Sequence, residues 1–182
     1  FNTTIGNRFL GLTHIILKGG NTSDRGGAIY AGADIDLLNT QILNSQAAKE
    51  GGAIFMAGPF ASLTINHSLI QGNQAPKASV IAMSCFNDNV YSKRKIDIAT
   101  SSLIGNGSNA SSSMLEFCGE PDVDLSTNTI AKNIASLTNG SIIKFTGDTK
   151  AGTETNNTSS ILSDASLLTL NSNTIVENTA NT

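Results

Sequence analysis

The sequence predicts an all-β chain in which about six coils of short parallel strands stack as a solenoid, a parallel β-helix with three strands per coil. Three observations carry this expectation. An aliphatic anchor recurs at Leu12, Leu37, Ile65, Ile98, Leu125 and Leu170, after 25, 28, 33, 27 and 45 residues. Around each anchor apolar positions alternate, and corner-forming residues follow at fixed distances.

The anchored strand comes first. Two residues before the anchors stand Leu10, Ile35, Leu63, Ile96, Val123 and Leu168. Segments such as Leu63-Thr64-Ile65 and Ile96-Asp97-Ile98 thus have the two-residue period of a strand. The second strand holds Leu17, Ile42, Ile70 (beside Leu69), Leu103, Ile130 and Ile175. Each lies five residues past its anchor, an odd step that breaks the alternation and demands a corner. Three residues further, Gly20, Ser45, Asn73, Asn106, Asn133 and Asn178 mark another corner, since these residue types tolerate tight and left-handed backbone.

The third strand opens at Gly26-Gly27-Ala28-Ile29 and Gly51-Gly52-Ala53-Ile54, then at Ala78-Ser79-Val80-Ile81, Ser112-Ser113-Met114-Leu115 and Gly140-Ser141-Ile142-Ile143. The period is about 27 residues, and the two long intervals place inserts after this strand, at about 87–95 and 148–160. A leucine-rich repeat would show a fixed leucine consensus instead. One coil buries too few side chains to offset the entropy of ordering it, so stability must be collective and 1–182 reads as one domain.

Composition narrows the function classes. Hydrophobic residues make up 39% of the 182, charged residues 14% and aromatic residues 5%, with no Trp. That balance does not fit disorder. A net charge of -3 and a pI near 5.2 argue against nucleic acid as a partner. No run of 18 apolar residues is present to span a bilayer as a helix, no charged-then-apolar leader opens the chain, and no motif asks for a cofactor.

The Gly-Gly-Ala-Ile blocks at 26–29 and 51–54, with the I-x-x-N corners at 70–73, 130–133 and 175–178, resemble the repeats of polymorphic outer-membrane-protein passengers. These are bacterial autotransporter adhesins within the pectate-lyase-like β-helix superfamily. The resemblance runs over nearly the whole chain at the level of repeat pattern. It departs where those passengers favour Phe at the start of the corner motif; the one F-x-x-N here, at 86–89, is out of register. The resemblance implies a right-handed helix, secretion or display at a bacterial outer membrane, and adhesion linked to virulence. It implies no catalytic residues. The expected partners are a host receptor, glycan or matrix component, and the remaining β-helix coils of a longer passenger that would cover uncapped strand edges.

Several side chains are candidates for binding. By parity the third strand points Ile29, Ile54, Ile81, Leu115 and Ile143 inward, leaving Tyr30, Phe55, Ala82, Glu116 and Lys144 outward. Tyr30 over Phe55 would form an aromatic pair, and Glu116 over Lys144 an ion pair. Ala28, Ala53, Val80, Met114 and Ile142 would also face outward, either as a partner surface or as residues covered by loops or tucked into corners. The first insert carries Tyr91, Lys93, Arg94 and Lys95, which serve binding if the insert is more than a tolerated insertion.

Asp97 and Asp124 share one outward position in adjacent coils, about 4.8 Å apart. They form either a polar ladder eased by Arg94 and Lys95 or a cation-binding or glycosidase-like pair. His14 and His67 share a register but lie two coils apart, too far for one metal, and are expected on the surface. Cys85 and Cys118 fall in adjacent coils one register position apart, a step compatible with a disulfide. A bond there would fit an oxidising location; two buried thiols are the alternative. N-x-S/T triplets at Asn21, Asn66, Asn106, Asn109 and Asn139 arise readily in a chain of this composition.

The function expected is therefore a cell-surface adhesin or display module. A polysaccharide-degrading enzyme using Asp97 and Asp124, or a structural spacer or fibre subunit, are the alternatives.

Overall fold

The computed structural model describes residues 1–3, 9–58, 60–85, 94–118, 121–146 and 167–181. They are all-β, with no helix among the described residues, and every strand pairing is parallel. Three six-stranded sheets carry most of the chain. The first holds Asn2–Thr3, Ile29–Ala31, Ile54–Met56, Ile81–Met83, Ser113–Cys118 and Ser141–Thr146. The second holds Phe9–Thr13, Asp34–Leu38, Leu63–Asn66, Lys95–Ala99, Asp122–Ser126 and Leu167–Asn171. The third holds Ile16–Lys18, Gln41–Leu43, Leu69–Gln71, Ser102–Ile104, Thr129–Ala131 and Thr174–Val176. Each circuit visits the sheets in that order and pairs with the circuit before it.

The register places equivalent side chains over one another. Leu12, Leu37, Ile65, Ile98, Leu125 and Leu170 are successive partners in a single file. Leu17, Ile42, Ile70, Leu103, Ile130 and Ile175 form a second. From the second circuit to the fifth these positions are essentially sealed, and they join Ile29, Ile54, Ile81 and Leu115 in one continuous core. Burial of this kind contributes roughly 1.5–3 kcal/mol for each aliphatic side chain.

The corners have a local cause. Between the second and third sheets one residue per circuit takes a left-handed backbone: His14, Asn39, His67, Thr100, Thr127 and Ser172, with φ between 48° and 57°. Beyond the third sheet Gly19, Asn44, Gly72, Gly105, Lys132 and Glu177 do the same, with φ from 51° to 68°. One left-handed residue turns the chain sharply enough to start the next sheet. The residue after it then points inward.

Those inward polar residues form two ladders. In one, Thr40 N–H donates to Ser68 Oγ (3.0 Å), Ser68 N–H to Ser101 Oγ (3.0 Å), and Ser101 N–H to Asn128 Oδ1 (2.9 Å). In the other, Asn73 N–H donates to Asn106 Oδ1 and Asn106 N–H to Asn133 Oδ1, both at 3.0 Å. Each asparagine amide also donates backwards to a carbonyl, as Asn106 Nδ2 does to Ile70 O at 2.9 Å. Corner backbone groups that the sheets leave unpaired are thereby satisfied away from water.

One expectation from parity fails. Ala28, Ala53, Val80 and Met114 are not outward but buried in the main core, and Ile142 packs against it. For Ala28 and Ala53 the reason lies in the hydrogen bonds. Ala28 and Ile29 both donate to Ala53 O (3.0 Å each), and Ala53 and Ile54 both donate to Val80 O (3.2 and 2.8 Å). Two consecutive N–H groups sharing one acceptor break the alternation in the manner of a bulge, so adjacent side chains both turn in. Parity counted from the strand alone cannot see this.

Candidate functional site

The outer side of the first sheet gathers the candidate binding residues. Tyr30 and Phe55 do pair, with ring centroids 5.3 Å apart and planes tilted by 34°. Phe55 is not available to a ligand, however, being only 3% exposed. It sits with Ala57, Ala78 and Ala82 in a small second core against which half-buried Tyr30 packs. The covering residues come from the corner that precedes the sheet.

That corner is tight because it turns on one left-handed residue, glycine in the first two circuits and Ala78, with φ 50°, in the third. Gly26 and Gly51 have φ near +70°, and a Cβ on Gly27 or Gly52 would collide with the carbonyl oxygen of Gly52 or Ser79 in the next circuit. The charged residue just before each corner is thereby laid over the sheet. Arg25, Glu50 and Lys77 bridge in parallel register, and the Arg25 guanidinium lies 5.2 Å from the Phe55 ring centroid.

Charges alternate up this file. Arg25 Nε meets Glu50 Oε1, Lys77 Nζ lies 3.1 Å from Glu50 Oε2 and 3.3 Å from Glu116 Oε1, and Ser113 Oγ donates to Glu116 Oε2 at 2.7 Å. Burial works against the Lys77 ammonium, but Glu116 and Glu50 outweigh it and hold its pKa above the ordinary lysine value. Glu116, expected on the outer face, is 3% exposed; its register partner is Lys144, as expected. Its burial follows from the corner that folds over it. The ladder escaped sequence reading, although its signal is visible: Arg25, Glu50 and Lys77 each stand immediately before a corner and alternate in sign.

The second sheet carries the acidic pair. Asp97 and Asp124 are direct register partners, both exposed, with Lys95 opposite Asp122 two residues away. Partial desolvation at the sheet surface first, and the neighbouring Asp124 second, raise the Asp97 pKa above the usual aspartate value. Among the described residues no group of three or more His, Cys, Asp or Glu converges to hold a metal. His14 and His67 occupy exposed left-handed corners two circuits apart, and His14 Nε2 lies 3.4 Å from Asn39 Nδ2.

At the end of the first sheet Cys85 and Cys118 are joined by a disulfide, with Cα atoms 5.0 Å apart. Arg94 belongs to this joint rather than to a binding loop. It is 5% exposed, and its Nη2 donates to Cys118 O at 2.6 Å. Burial lowers its pKa to about 10, leaving it charged at neutral pH. Lys95 is exposed but opens the strand Lys95–Ala99, so the scaffold resumes before the expected end of the insert. Tyr91 and Lys93 lie outside the described residues, as does the whole of 148–160.

Comparison with family models, with curated proteins and with solved structures finds no match.

Proposed function

We propose that the stacked circuits form a right-handed parallel β-helix that acts outside the reducing cytosol as an adhesin or display module. The handedness rests on chain physics: parallel strands joined by crossovers within one sheet turn right-handed in the great majority of proteins. The observation that carries the location is the disulfide between Cys85 and Cys118, because such bonds persist in oxidising compartments. The resemblance of the repeats to autotransporter passengers points the same way, towards a β-helix of the pectate-lyase-like superfamily and display on a bacterial outer membrane.

The binding role is assigned to the residues between Cys85 and Arg94 and to exposed Lys95 beside them. The disulfide and the buried Arg94 anchor both sides of that segment to a rigid frame, an arrangement suited to holding a recognition loop. The expected ligand is a host receptor, glycan or matrix component. Surface biosensing against glycan and matrix-protein panels tests this. Deletion of 87–93 should weaken a detected interaction about tenfold, a loss near 1.4 kcal/mol; undiminished binding would remove the segment from the site, and no binding by the intact chain would sink the adhesin reading.

A second reading has one specific observation behind it. Asp97 and Asp124 are direct register partners on an exposed strand face, about one strand spacing apart, the kind of carboxylate proximity that glycoside cleavage uses. Polysaccharide cleavage that disappears in Asp97→Asn would favour it over adhesion.

A further inference from the structure

The two ends of the disulfide are unlike. Cys118 is 2% exposed and closes the buried strand Ser113–Cys118, where it pairs with Thr146. Cys85 is exposed and stands two residues beyond the end of the strand Ile81–Met83. An incoming group therefore meets the bond from the Cys85 side. Charge differs as well. Arg94, itself buried, donates to Cys118 O at 2.6 Å, which fixes a positive charge beside the Cys118 backbone.

We propose that Cys85 is a thiol-exchange site for small aliphatic thiols of the glutathione type. The external thiol gives up its proton to solvent, and the thiolate attacks Cys85 Sγ to form a new S–S bond. The Cys85–Cys118 bond breaks, and its electron pair leaves on Cys118 Sγ as a thiolate. The protein disulfide is itself the oxidant. In such exchanges access decides which sulfur is attacked, and the thiol of lower pKa leaves faster. Both factors favour this direction, since Cys85 is the exposed partner and a neighbouring guanidinium stabilises a Cys118 thiolate.

The frame makes the step reversible. Ser113–Cys118 pairs with Ile81–Met83 on one side and Ser141–Thr146 on the other, and Ser84 N–H donates to Met56 O at 2.9 Å. Opening one covalent link leaves those hydrogen bonds in place, so Cys118 Sγ stays within reach of Cys85 Sγ. Its return attack expels the small thiol and restores the disulfide. If a second external thiolate reaches the small thiol's sulfur first, both cysteines end reduced and a small-molecule disulfide departs. Exposed disulfides are the exchangeable ones, whereas enclosed ones resist reduction.

Exchange requires the disulfide and not adhesion, so a negative result would leave the adhesin reading standing. The intact oxidised chain is exposed to excess reduced glutathione at neutral pH. Exchange is stopped at intervals with acidic N-ethylmaleimide, and peptide mass mapping locates the glutathione and the alkyl group. Glutathione should appear on Cys85 and the alkyl group on Cys118, with a preference of about tenfold or more. In urea, where both sulfurs are accessible, that preference should fall to about twofold or less. Glutathione chiefly on Cys118, an equal split in the folded chain, or no exchange in the folded chain would overturn the proposal. Arg94→Gln should slow formation of the Cys85 adduct about tenfold, while Arg94→Lys stays within about threefold of the parent. Equal rates in the two variants would overturn the part given to the guanidinium charge.

Discussion

Asn106 shows how one side chain closes a corner. Its Oδ1 accepts from Asn73 N–H and Asn73 Nδ2, while its own Nδ2 donates to Ile70 O and to Asn133 Oδ1. Asn106→Ala leaves a buried N–H and a buried carbonyl unpaired, and should lower stability by about 2–3 kcal/mol in urea titration. Asn181→Ala is the control, since Asn181 is exposed and reaches Ser136 O only at 3.3 Å; it should fall within about 0.5 kcal/mol of the parent. The asparagine file was legible in the sequence from its fixed spacing. Its partner file at Thr40, Ser68, Ser101 and Asn128 was not, because residue type varies along it and only the shared inward direction makes these positions equivalent.

Asp97 offers a pH test at the same scale. Its folded pKa is raised, so over the range between the unfolded and folded values the native state binds more protons. The repulsion with Asp124 is therefore present at neutral pH and relieved as pH falls through the folded pKa. Asp97→Asn should gain about 0.3 kcal/mol at pH 7, the scale of a like-charged cross-strand pair, and nothing near pH 3. A gain that persists at acid pH would point to a cause other than charge.

Among the elements, the corners rather than the strands set the architecture. Gly52 and Gly105 separate two demands that glycine meets. A Cβ on Gly52 would run into backbone of the neighbouring circuit, whereas one on Gly105 meets nothing and faces only the strain of φ +63°. Gly52→Ala should thus cost about 2–3 kcal/mol through displaced backbone, and Gly105→Ala about 1 kcal/mol, as read from urea midpoints. The disulfide spans 33 residues between adjacent circuits. Chain-entropy arguments give a loop of that length about 3–4 kcal/mol, so reduction should lower the melting temperature while leaving far-ultraviolet circular dichroism of the folded state nearly unchanged. Spacing alone suggested the cysteine pair. The burial of Arg94 against it was not suggested, because a basic run reads as solvated until the joint that encloses one of its members is seen.

For the whole molecule, stability should be graded along the stack. Leu125 and Leu170 occupy the same file, yet one is 1% exposed and the other 49%. Leu125→Ala should cost about 3 kcal/mol or more, and Leu170→Ala about 1 kcal/mol, measured by the same denaturant titration. Equal losses would mean that Leu125 and Leu170 are equally enclosed, against their exposures. The gradient follows from the nearest-neighbour character of stacked repeats, in which each circuit is stabilised by those it touches.

The amino-acid order determined the all-β class, the number of circuits, the aliphatic files and the places where the chain turns, because all of these follow from local periodicity and from residues that accept left-handed backbone. Tertiary structure decided which polar groups became interior. Arg25, Glu50, Lys77 and Glu116 form one alternating ladder only because left-handed corners at Gly26, Gly51 and Ala78 fold over the sheet, and Ala28 and Ala53 turn inward where neighbouring N–H groups share an acceptor. Both outcomes depend on contacts between residues about 25 or more positions apart, which a pattern read along a single circuit does not contain.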